Sequence, residues 1–144
     1  MRTTTSLLVL ALLGGCVAAG PATISGRPEM VVRLDAKTVK AQLINAYSAA
    51  GYNIDASDDM GFAISQPMTG MQEALIGRGV HRIRFNLLES IDGNEGTTTI
   101  RSTSFLVADS VSTETSNATA GVDVQESLER LFGHARVPSA TPAR

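Results

Sequence analysis

The sequence predicts a two-layer α+β domain, in which a mainly antiparallel sheet carries two amphipathic helices on one face. Segments that alternate apolar and polar residues indicate half-buried strands, and turn-forming residues between them indicate hairpins. Two other segments place apolar residues at helical spacing, which gives each predicted helix a single apolar stripe. The predicted order of elements is β-α-β-β-short α-β-β-α.

The first half of the domain predicts a strand, a helix and a hairpin. Residues 30–34 form an apolar run that is typical of a strand. Asp35 is suited to cap a helix and Gly51 to end it. The apolar stripe of this helix consists of Val39, Leu43, Ala46, Tyr47 and Ala50. Residues 52–56 and 62–66 alternate on either side of an acidic turn, which predicts a hairpin.

The second half predicts a longer hairpin and a second helix. Residues 68–76 favour a short helix or an ordered loop. Residues 81–91 form an amphipathic segment, with Ile83, Phe85 and Leu87 on one side and Arg82, Arg84 and Asn86 on the other, and residues 97–108 are rich in β-branched side chains, so both predict strands. Residues 109–121 are rich in Ser and Thr without a clear period, which predicts a loop. A capping box at residues 123–126 predicts the start of the second helix. The apolar stripe of that helix consists of Val124, Leu128, Leu131 and Phe132.

The N-terminus predicts an export signal that ends at a lipidation site. Arg2 provides a short positive region, and the apolar run over residues 7–13 is too short to span a hydrocarbon core of about 30 Å. The four residues that follow the pattern of the bacterial lipobox are Leu13, Gly14, Gly15 and Cys16. This resemblance implies a diacylglycerol on the Cys16 sulfur, cleavage before Cys16 and an acyl group on the new N-terminus.

Two other interpretations of this segment remain open. An ordinary signal-peptidase site before Gly20 would release a soluble protein without the cysteine. Alternatively, Cys16 is a buried free thiol. We favour lipidation, because the only cysteine of the chain stands directly after an apolar export segment and two small residues.

Lipidation divides the chain into four parts. These are a signal peptide over residues 1–15, a lipidated tether over 16–29, an α+β domain over 30–137 and a disordered tail over 138–144. Val17, rather than Asp, follows the cysteine. By resemblance to enteric-type lipoprotein sorting, this implies the periplasmic face of the outer membrane, with anchoring in the inner membrane as the alternative.

The arrangement of the first helix and hairpin resembles a known family of domains. A helix that ends in AAGYNI at residues 49–54, an acidic turn, and GFAI at residues 61–64 are similar to the helix-grip domains of BamC-type lipoproteins and to other proteobacterial lipoprotein domains. BamC is an accessory of the β-barrel assembly machine. The resemblance covers residues 30–132 and implies a similar α+β fold and an accessory function in the cell envelope.

Composition and motifs exclude several other classes of function. Twelve Lys and Arg residues against fourteen Asp and Glu give a net charge of −2, so we expect no nucleic-acid partner. The single cysteine excludes a multi-cysteine metal site, and His81 and His134 lack ligand spacing. No Gly-x-Ser-x-Gly motif is present. We therefore expect a non-enzymatic protein without catalytic residues, without a metal and without a cofactor other than the covalent lipid.

The one local concentration of positive charge is a candidate interaction patch. It consists of Arg78, Arg82 and Arg84, joined across the hairpin by Arg101. One hypothesis is a contact surface for an acidic partner or for anionic headgroups. The alternative is a solvated sheet face whose arginines pair with acidic residues on neighbouring strands.

These observations favour a lipid-anchored periplasmic domain that acts by protein–protein contact in an envelope complex. The alternative is a domain that binds a small molecule or lipid in an apolar cavity. The candidate lining residues of such a cavity are Tyr47, Phe62, Phe85, Leu87 and Phe105, which otherwise form the core.

Overall fold

The computed structural model describes residues 23, 25–70, 73–74, 77–92, 95–108, 111–114 and 118–138. The strands in chain order are β1 (Glu29–Val32), β2 (Asn53–Asp58), β3 (Gly61–Pro67), β4 (Gly79–Asp92), β5 (Glu95–Ala108) and β6 (Val111–Glu114). The helices are α1 (Ala36–Ala49) and α2 (Ala118–Phe132), and a 3₁₀ turn over Gly133–Ala135 follows α2.

The six strands form one antiparallel sheet, which confirms the predicted α+β class. The order across the sheet is β1-β5-β4-β3-β2. Strand β6 pairs with residues 105–108 of β5, and β1 pairs with residues 98–101 of the same strand. The long β4–β5 hairpin is therefore the centre of the sheet, and β2 forms one of its edges.

Capping residues set both ends of α1 where the sequence predicts them. The Asp35 carboxylate accepts hydrogen bonds from the Thr38 backbone N–H at 2.8 Å and from the Thr38 hydroxyl at 2.6 Å. These bonds lower the pKa of Asp35 below its ordinary value. At the other end Gly51 has a φ of +87°, a conformation that glycine adopts without steric cost.

Both helices pack on the same face of the sheet, around one continuous apolar core. Alternate residues of β3, β4 and β5 point toward the helices, as the period of two requires. The buried core residues from the strands are Met30, Val32, Phe62, Ile64, Ile83, Phe85, Leu87 and Ile100. Those from the helices are Val39, Leu43, Tyr47, Val124, Leu128 and Phe132. The opposite face of the sheet carries neither helix.

The two edges of the sheet differ in how they are protected. Residues that follow α2 cover the edge at β1: Arg33 N–H donates to the Ala135 carbonyl, and Val137 N–H donates to the Val31 carbonyl, both at 2.8 Å. All six residues of β2 are exposed. A bulge and acidic side chains interrupt this second edge, which discourages pairing with another chain.

The structure corrects the prediction for residues 109–121. This segment is not a loop throughout, because it contains β6, and α2 begins at Ala118 rather than at Asp123. Strand β6 is stabilised by pairing with β5, a non-local contact that no local period signals. The capping-box pattern at Asp123 misplaces the helix start, because α2 already includes the five residues before it.

Several predicted segments lie wholly or partly outside the described residues. Of the short helix expected over residues 68–76, Glu73 and Ala74 are helical, and Gly77 N–H donates to the Glu73 carbonyl at 2.9 Å. Residues 1–22, which include the lipobox-like segment and Cys16, are outside the described part. The predicted tether ends in a turn, in which Gly26 N–H donates to the Thr23 carbonyl at 3.1 Å.

Candidate functional site

The candidate site is the face of the sheet that carries no helix. Ile83, Phe85 and Leu87 of β4 point into the core, so Arg82 and Arg84 point the opposite way, as the alternation predicts. Arg101 of β5 lies on this same face, because Asn86 is its register partner in β4. The helix-free face therefore brings together three of the four predicted patch arginines.

An unpaired residue in β2 supplies the central contact of this face. The register passes from Ile54–Ile64 directly to Ala56–Ala63, so Asp55 has no partner in β3 and forms a bulge. Its carboxylate accepts a hydrogen bond from the Ser65 hydroxyl at 2.7 Å. It also accepts one from Arg82 Nε at 2.9 Å. One carboxylate thus connects β2, β3 and β4.

The remaining arginines also have acidic partners. Arg101 Nε lies 2.9 Å from a Glu29 carboxylate oxygen of β1. Arg84 is held less tightly, because its Nη2 lies 3.7 Å from Asp58 Oδ2 and both side chains are at least half exposed.

Arg78 is 95% exposed and lies outside the strands, with its Nε 3.9 Å from Glu73 Oε1. Each predicted patch arginine therefore has a carboxylate within 4 Å, as the cross-strand pairing hypothesis describes for the sheet face. The face is balanced in charge. Of the three arginines on the helix-free face, Arg84 has the most distant and most exposed carboxylate partner and is therefore best able to exchange it.

These side chains surround a shallow groove of about 400 Å³ on the helix-free face. Its lining residues are Asp55, Ala56, Ala63, Arg82, Arg84, Phe105 and Ser112. Ala63 forms the floor and is 6% exposed, whereas Phe105 is only partly buried. The groove combines an aromatic ring and guanidinium groups, both of which are enriched at protein interfaces, with a carboxylate group, which interfaces deplete.

Several residues that line this groove are brought together by contacts that no local sequence pattern indicates. Asp55 was predicted within a regularly alternating strand, and its contact with Arg82 depends on a bulge that interrupts this alternation. Ser112 belongs to β6, whose pairing is non-local. The register of β4 with β5 places Phe105 opposite Arg82, a relation that a hairpin loop of known length would have indicated.

The structure does not bring together the five residues proposed to line an apolar cavity. Tyr47, Phe62 and Phe85 pack in the core, where the Phe62 and Phe85 rings stack at 4.9 Å and Tyr47 lies 5.3 Å from Phe85. Leu87 is buried with them at 2% exposure. Phe105 lies on the opposite face, because its register places it beside Arg82. The proposed lining is therefore wrong for Phe105, and the other four fill the core.

The two histidines occupy unrelated positions. His81 lies on the helix side of β4, and burial lowers its pKa, with the Asp123 carboxylate opposing part of that shift. His134 is exposed in the 3₁₀ turn after α2. Within the described ranges, no group of three or more His, Cys, Asp or Glu side chains is arranged to hold a metal ion.

Comparison with known proteins adds no assignment. A scan against protein-family models gives no match, and a search of curated proteins finds no significant relative. Among the helices of the described part, none is long and apolar enough to cross a membrane.

Proposed function

We propose that this chain is a lipid-anchored periplasmic domain, acylated at Cys16, that acts without catalysis by contacting a protein of the cell envelope. The observation that carries the proposal is the sequence Leu13-Gly14-Gly15-Cys16 directly after an apolar export segment. Cys16 is the only cysteine of the chain. The destination proposed is the periplasmic face of the outer membrane.

The proposed lipid supplies an anchor of sufficient strength. Each buried methylene contributes about 0.8 kcal/mol, so two or three acyl chains hold a protein at the membrane where one chain is marginal. If the predicted tether before β1 is a flexible coil, its roughly twelve residues from Val17 onward give a root-mean-square span of about 20 Å. This reach holds the domain just beyond the lipid headgroups and within contact distance of a membrane-embedded partner.

The helix-free face is the contact surface we propose for that partner. The inner face of the sheet is occupied by α1 and α2, which bury its apolar side chains. The helix-free face presents the groove around Arg84 and Phe105. Among the residues described, no helix or strand covers this groove. The resemblance to BamC-type domains supports a role as an accessory of an assembly or maintenance complex. The balanced charge of the face favours a protein partner over nucleic acid.

Site-specific photocrosslinking tests this contact in the envelope of a Gram-negative host. Phe105 is replaced by benzoylphenylalanine, which keeps an aromatic ring in the groove. The same photoreactive residue at Gln42, exposed on α1, serves as the control on the helix side. We expect a discrete adduct from position 105 and none from position 42.

Two further variants distinguish a specific contact from random collision. Arg84→Glu reverses the charge of the most weakly paired arginine on the helix-free face and is expected to remove the adduct. Cys16→Ser releases the domain from the membrane and is expected to reduce the adduct strongly. Equal adducts from positions 105 and 42, or an adduct that survives Arg84→Glu unchanged, would contradict the proposed contact surface.

A further inference from the structure

The edge of the sheet at β1 carries an excess of positive charge. Four arginines and two carboxylates lie on β1, on the residues that flank it, and on the side chains that contact them. The arginines are Arg27, Arg33, Arg101 and Arg136, and the carboxylates are those of Glu29 and Glu129. This group of six residues, called here the β1 edge, has a net charge of +2, whereas the whole chain has a net charge of −2.

Two of the arginines lie at the start of β1. Arg27 precedes Pro28, whose carbonyl oxygen accepts a hydrogen bond from the Ser102 N–H of β5 at 3.0 Å. Arg101, the neighbour of Ser102 in β5, places its Nε 2.9 Å from Glu29 Oε2. Arg27 and Arg101 are both exposed. The start of β1 therefore presents two guanidinium groups to solvent around one carboxylate.

The other two arginines lie at the end of β1. The N–H of Arg33 donates to the Ala135 carbonyl at 2.8 Å, and the next residue, Arg136, is the bridge partner of Val32. Arg136 Nη1 contacts Glu129 Oε1 at 2.7 Å, and its side chain remains 46% exposed. Arg33 is exposed as well. The positive charge thus extends along the whole length of β1.

The rest of the chain is acidic. Without Arg2, which the predicted signal peptide removes, eleven Lys and Arg stand against fourteen Asp and Glu, so the residues outside the β1 edge contribute seven against twelve. At the opposite edge, β2 and the turn after it contain three aspartates, and three basic side chains contact β2. The aspartates are Asp55, Asp58 and Asp59, and the basic residues are Lys40, Arg82 and Arg84. The tip of the β4–β5 hairpin is acidic, with Glu89, Asp92 and Glu95.

The length of the chain between Cys16 and the domain limits how far the β1 edge can lie from the proposed anchor. The seven peptide units from Cys16 to Thr23 span at most about 25 Å when fully extended. Thr23 accepts a hydrogen bond from the Gly26 N–H, in a turn that directly precedes β1. A lipid on Cys16 therefore keeps the start of the β1 edge near the bilayer, whatever path the tether takes. The field of an anionic surface acts over about 10 Å at 0.1 M salt, which is within this reach.

We propose that the β1 edge docks on anionic phospholipid headgroups of the membrane that holds Cys16. This inference rests on the lipid anchor of the proposed function. Guanidinium groups donate charge-assisted hydrogen bonds to phosphate oxygens, and each cation near an anionic surface strengthens the attachment about fivefold. The same surface repels the acidic hairpin tip.

Docking in this way orients the sheet. Because neighbouring strands lie about 4.8 Å apart and β2 is four strands from β1, β2 stands about 19 Å farther from the bilayer. The sheet rests on its edge, so neither of its faces is turned toward the lipid. The groove around Arg84 and Phe105 then opens sideways, toward a neighbouring membrane protein.

The test measures which edge of the anchored domain lies near a bilayer. The full chain is made by cell-free synthesis without acylation, and its only cysteine, Cys16, is coupled to maleimide headgroups in lipid nanodiscs. A gadolinium-chelating lipid broadens the amide NMR signals of residues that approach the membrane. The ratio of broadening at β1 to broadening at β2 is expected to be about threefold higher in discs with about 30% phosphatidylglycerol than in phosphatidylcholine discs. About 1 M salt, which shortens the Debye length to about 3 Å, should remove this difference.

Variants assign the orientation to the charges of the β1 edge. The double variant Arg27→Gln, Arg33→Gln removes two charges, which weakens docking about 25-fold and should abolish the effect of phosphatidylglycerol. Arg27→Lys with Arg33→Lys keeps both charges and should retain the effect, which separates charge from a structural role of the arginines. Arg78→Gln with Arg84→Gln removes two charges outside the β1 edge and is the matched control, which should also retain it.

Three results would overturn the docking of the β1 edge, each for a chain whose spectrum shows that it is folded. The first is the same broadening ratio in anionic and zwitterionic discs. The second is an effect that the control variant reduces as much as Arg27→Gln with Arg33→Gln does. The third is an effect that the lysine variant loses. Since maleimide coupling replaces acylation, these results do not depend on whether cells acylate Cys16, so failure of the docking and failure of the proposed anchor are distinguishable.

Discussion

Asp55 and Arg82 form an ion pair, with Oδ2 of the carboxylate 2.9 Å from Nε of the guanidinium group, although they belong to strands that are not neighbours. The bulge at Asp55 makes this possible, since it frees the residue from the β2–β3 register. The same carboxylate accepts a hydrogen bond from the hydroxyl of Ser65. Ser65 belongs to β3, the strand that lies between β2 and β4. One acidic side chain therefore organises the edge of the candidate contact face.

Removing the Asp55 carboxylate breaks both its hydrogen bond with Ser65 and its ion pair with Arg82. We expect the loss of the hydrogen bond to reduce the stability of the fold more than the loss of the ion pair. Asp55→Ala leaves the Ser65 hydroxyl, on a residue 6% exposed, without its acceptor, and we expect a loss of about 1–2 kcal/mol in the free energy of unfolding. Asp55→Asn keeps an acceptor and should lose less than about 1 kcal/mol, because the partly exposed ion pair contributes little.

Urea denaturation measures both values. Asp59→Ala, in the exposed turn that follows β2, is the control and should change the free energy by less than about 0.5 kcal/mol. Equal losses for Asp55→Ala and Asp55→Asn would show that the ion pair, rather than the hydroxyl hydrogen bond, carries the stability.

Strands β3 and β4 approach each other so closely at Gly61 that no side chain fits there. A Cβ atom added at Gly61 would overlap the Phe85 carbonyl oxygen in the backbone of β4. Gly61→Ala should therefore force the strands apart and cost about 2 kcal/mol, measured as a lower urea midpoint. Gly96→Ala is the matched control, because its nearest contact would be Glu89 Oε1 at 3.8 Å, an ordinary distance. Equal midpoints for the two variants would be inconsistent with this packing.

His81 makes the stability dependent on pH. Burial lowers its pKa below the ordinary value of 6.5, so the unfolded chain binds the proton at a higher pH than the folded chain. The contribution of neutral His81 is therefore complete above about pH 7.5 and declines as the pH falls through 6.5 toward the folded-state pKa. Chemical denaturation between about pH 7.5 and 5.5 should show falling stability.

The variant His81→Gln should flatten this part of the curve, and His134→Gln, at the exposed histidine, should not. If the two variants give the same slope as the unaltered chain, His81 is not the group responsible.

Asp35 adds a second pH dependence at lower pH. Its hydrogen bonds with Thr38 lower its pKa below the ordinary value of 3.8, so the capping contribution is complete above that value and is lost as the pH falls through the folded-state pKa. Asp35→Asn keeps a good capping group without a charge, and we expect it to retain the helix while reducing the acid dependence. Asp35→Ala should lower the melting temperature at neutral pH. Circular dichroism melts at several pH values measure both effects, and an unchanged acid limb in Asp35→Asn would refute the assignment.

Elements that depend on local sequence patterns were predicted correctly, whereas elements that depend on contacts between distant parts of the chain were not. Local patterns correctly predicted α1 with both of its ends, and the alternation over residues 82–87 of β4 correctly predicted which face Arg82 and Arg84 occupy. Non-local pairing was not visible locally, and for that reason β6 was missed. The start of α2 was misplaced because a capping-box pattern marked a position that lies inside the helix.

The candidate site shows the same limit. The alternation separated the arginines from the core but could not show that Glu29, Asp55 and Asp58 would reach them, because those contacts depend on strand order and on one bulge. Phe105 was assigned to the wrong face for a related reason. Its segment is rich in β-branched residues on both sides, so its side-chain direction is fixed only by the register with β4.

The most direct test of the proposed function is the intact mass and membrane partition of the protein made in a Gram-negative host, compared with Cys16→Ser. We predict a mature chain that begins at Cys16, carries acyl groups and fractionates with the outer membrane, whereas Cys16→Ser carries no acyl groups. A soluble, unacylated protein that begins near Gly20 would contradict the lipid anchor.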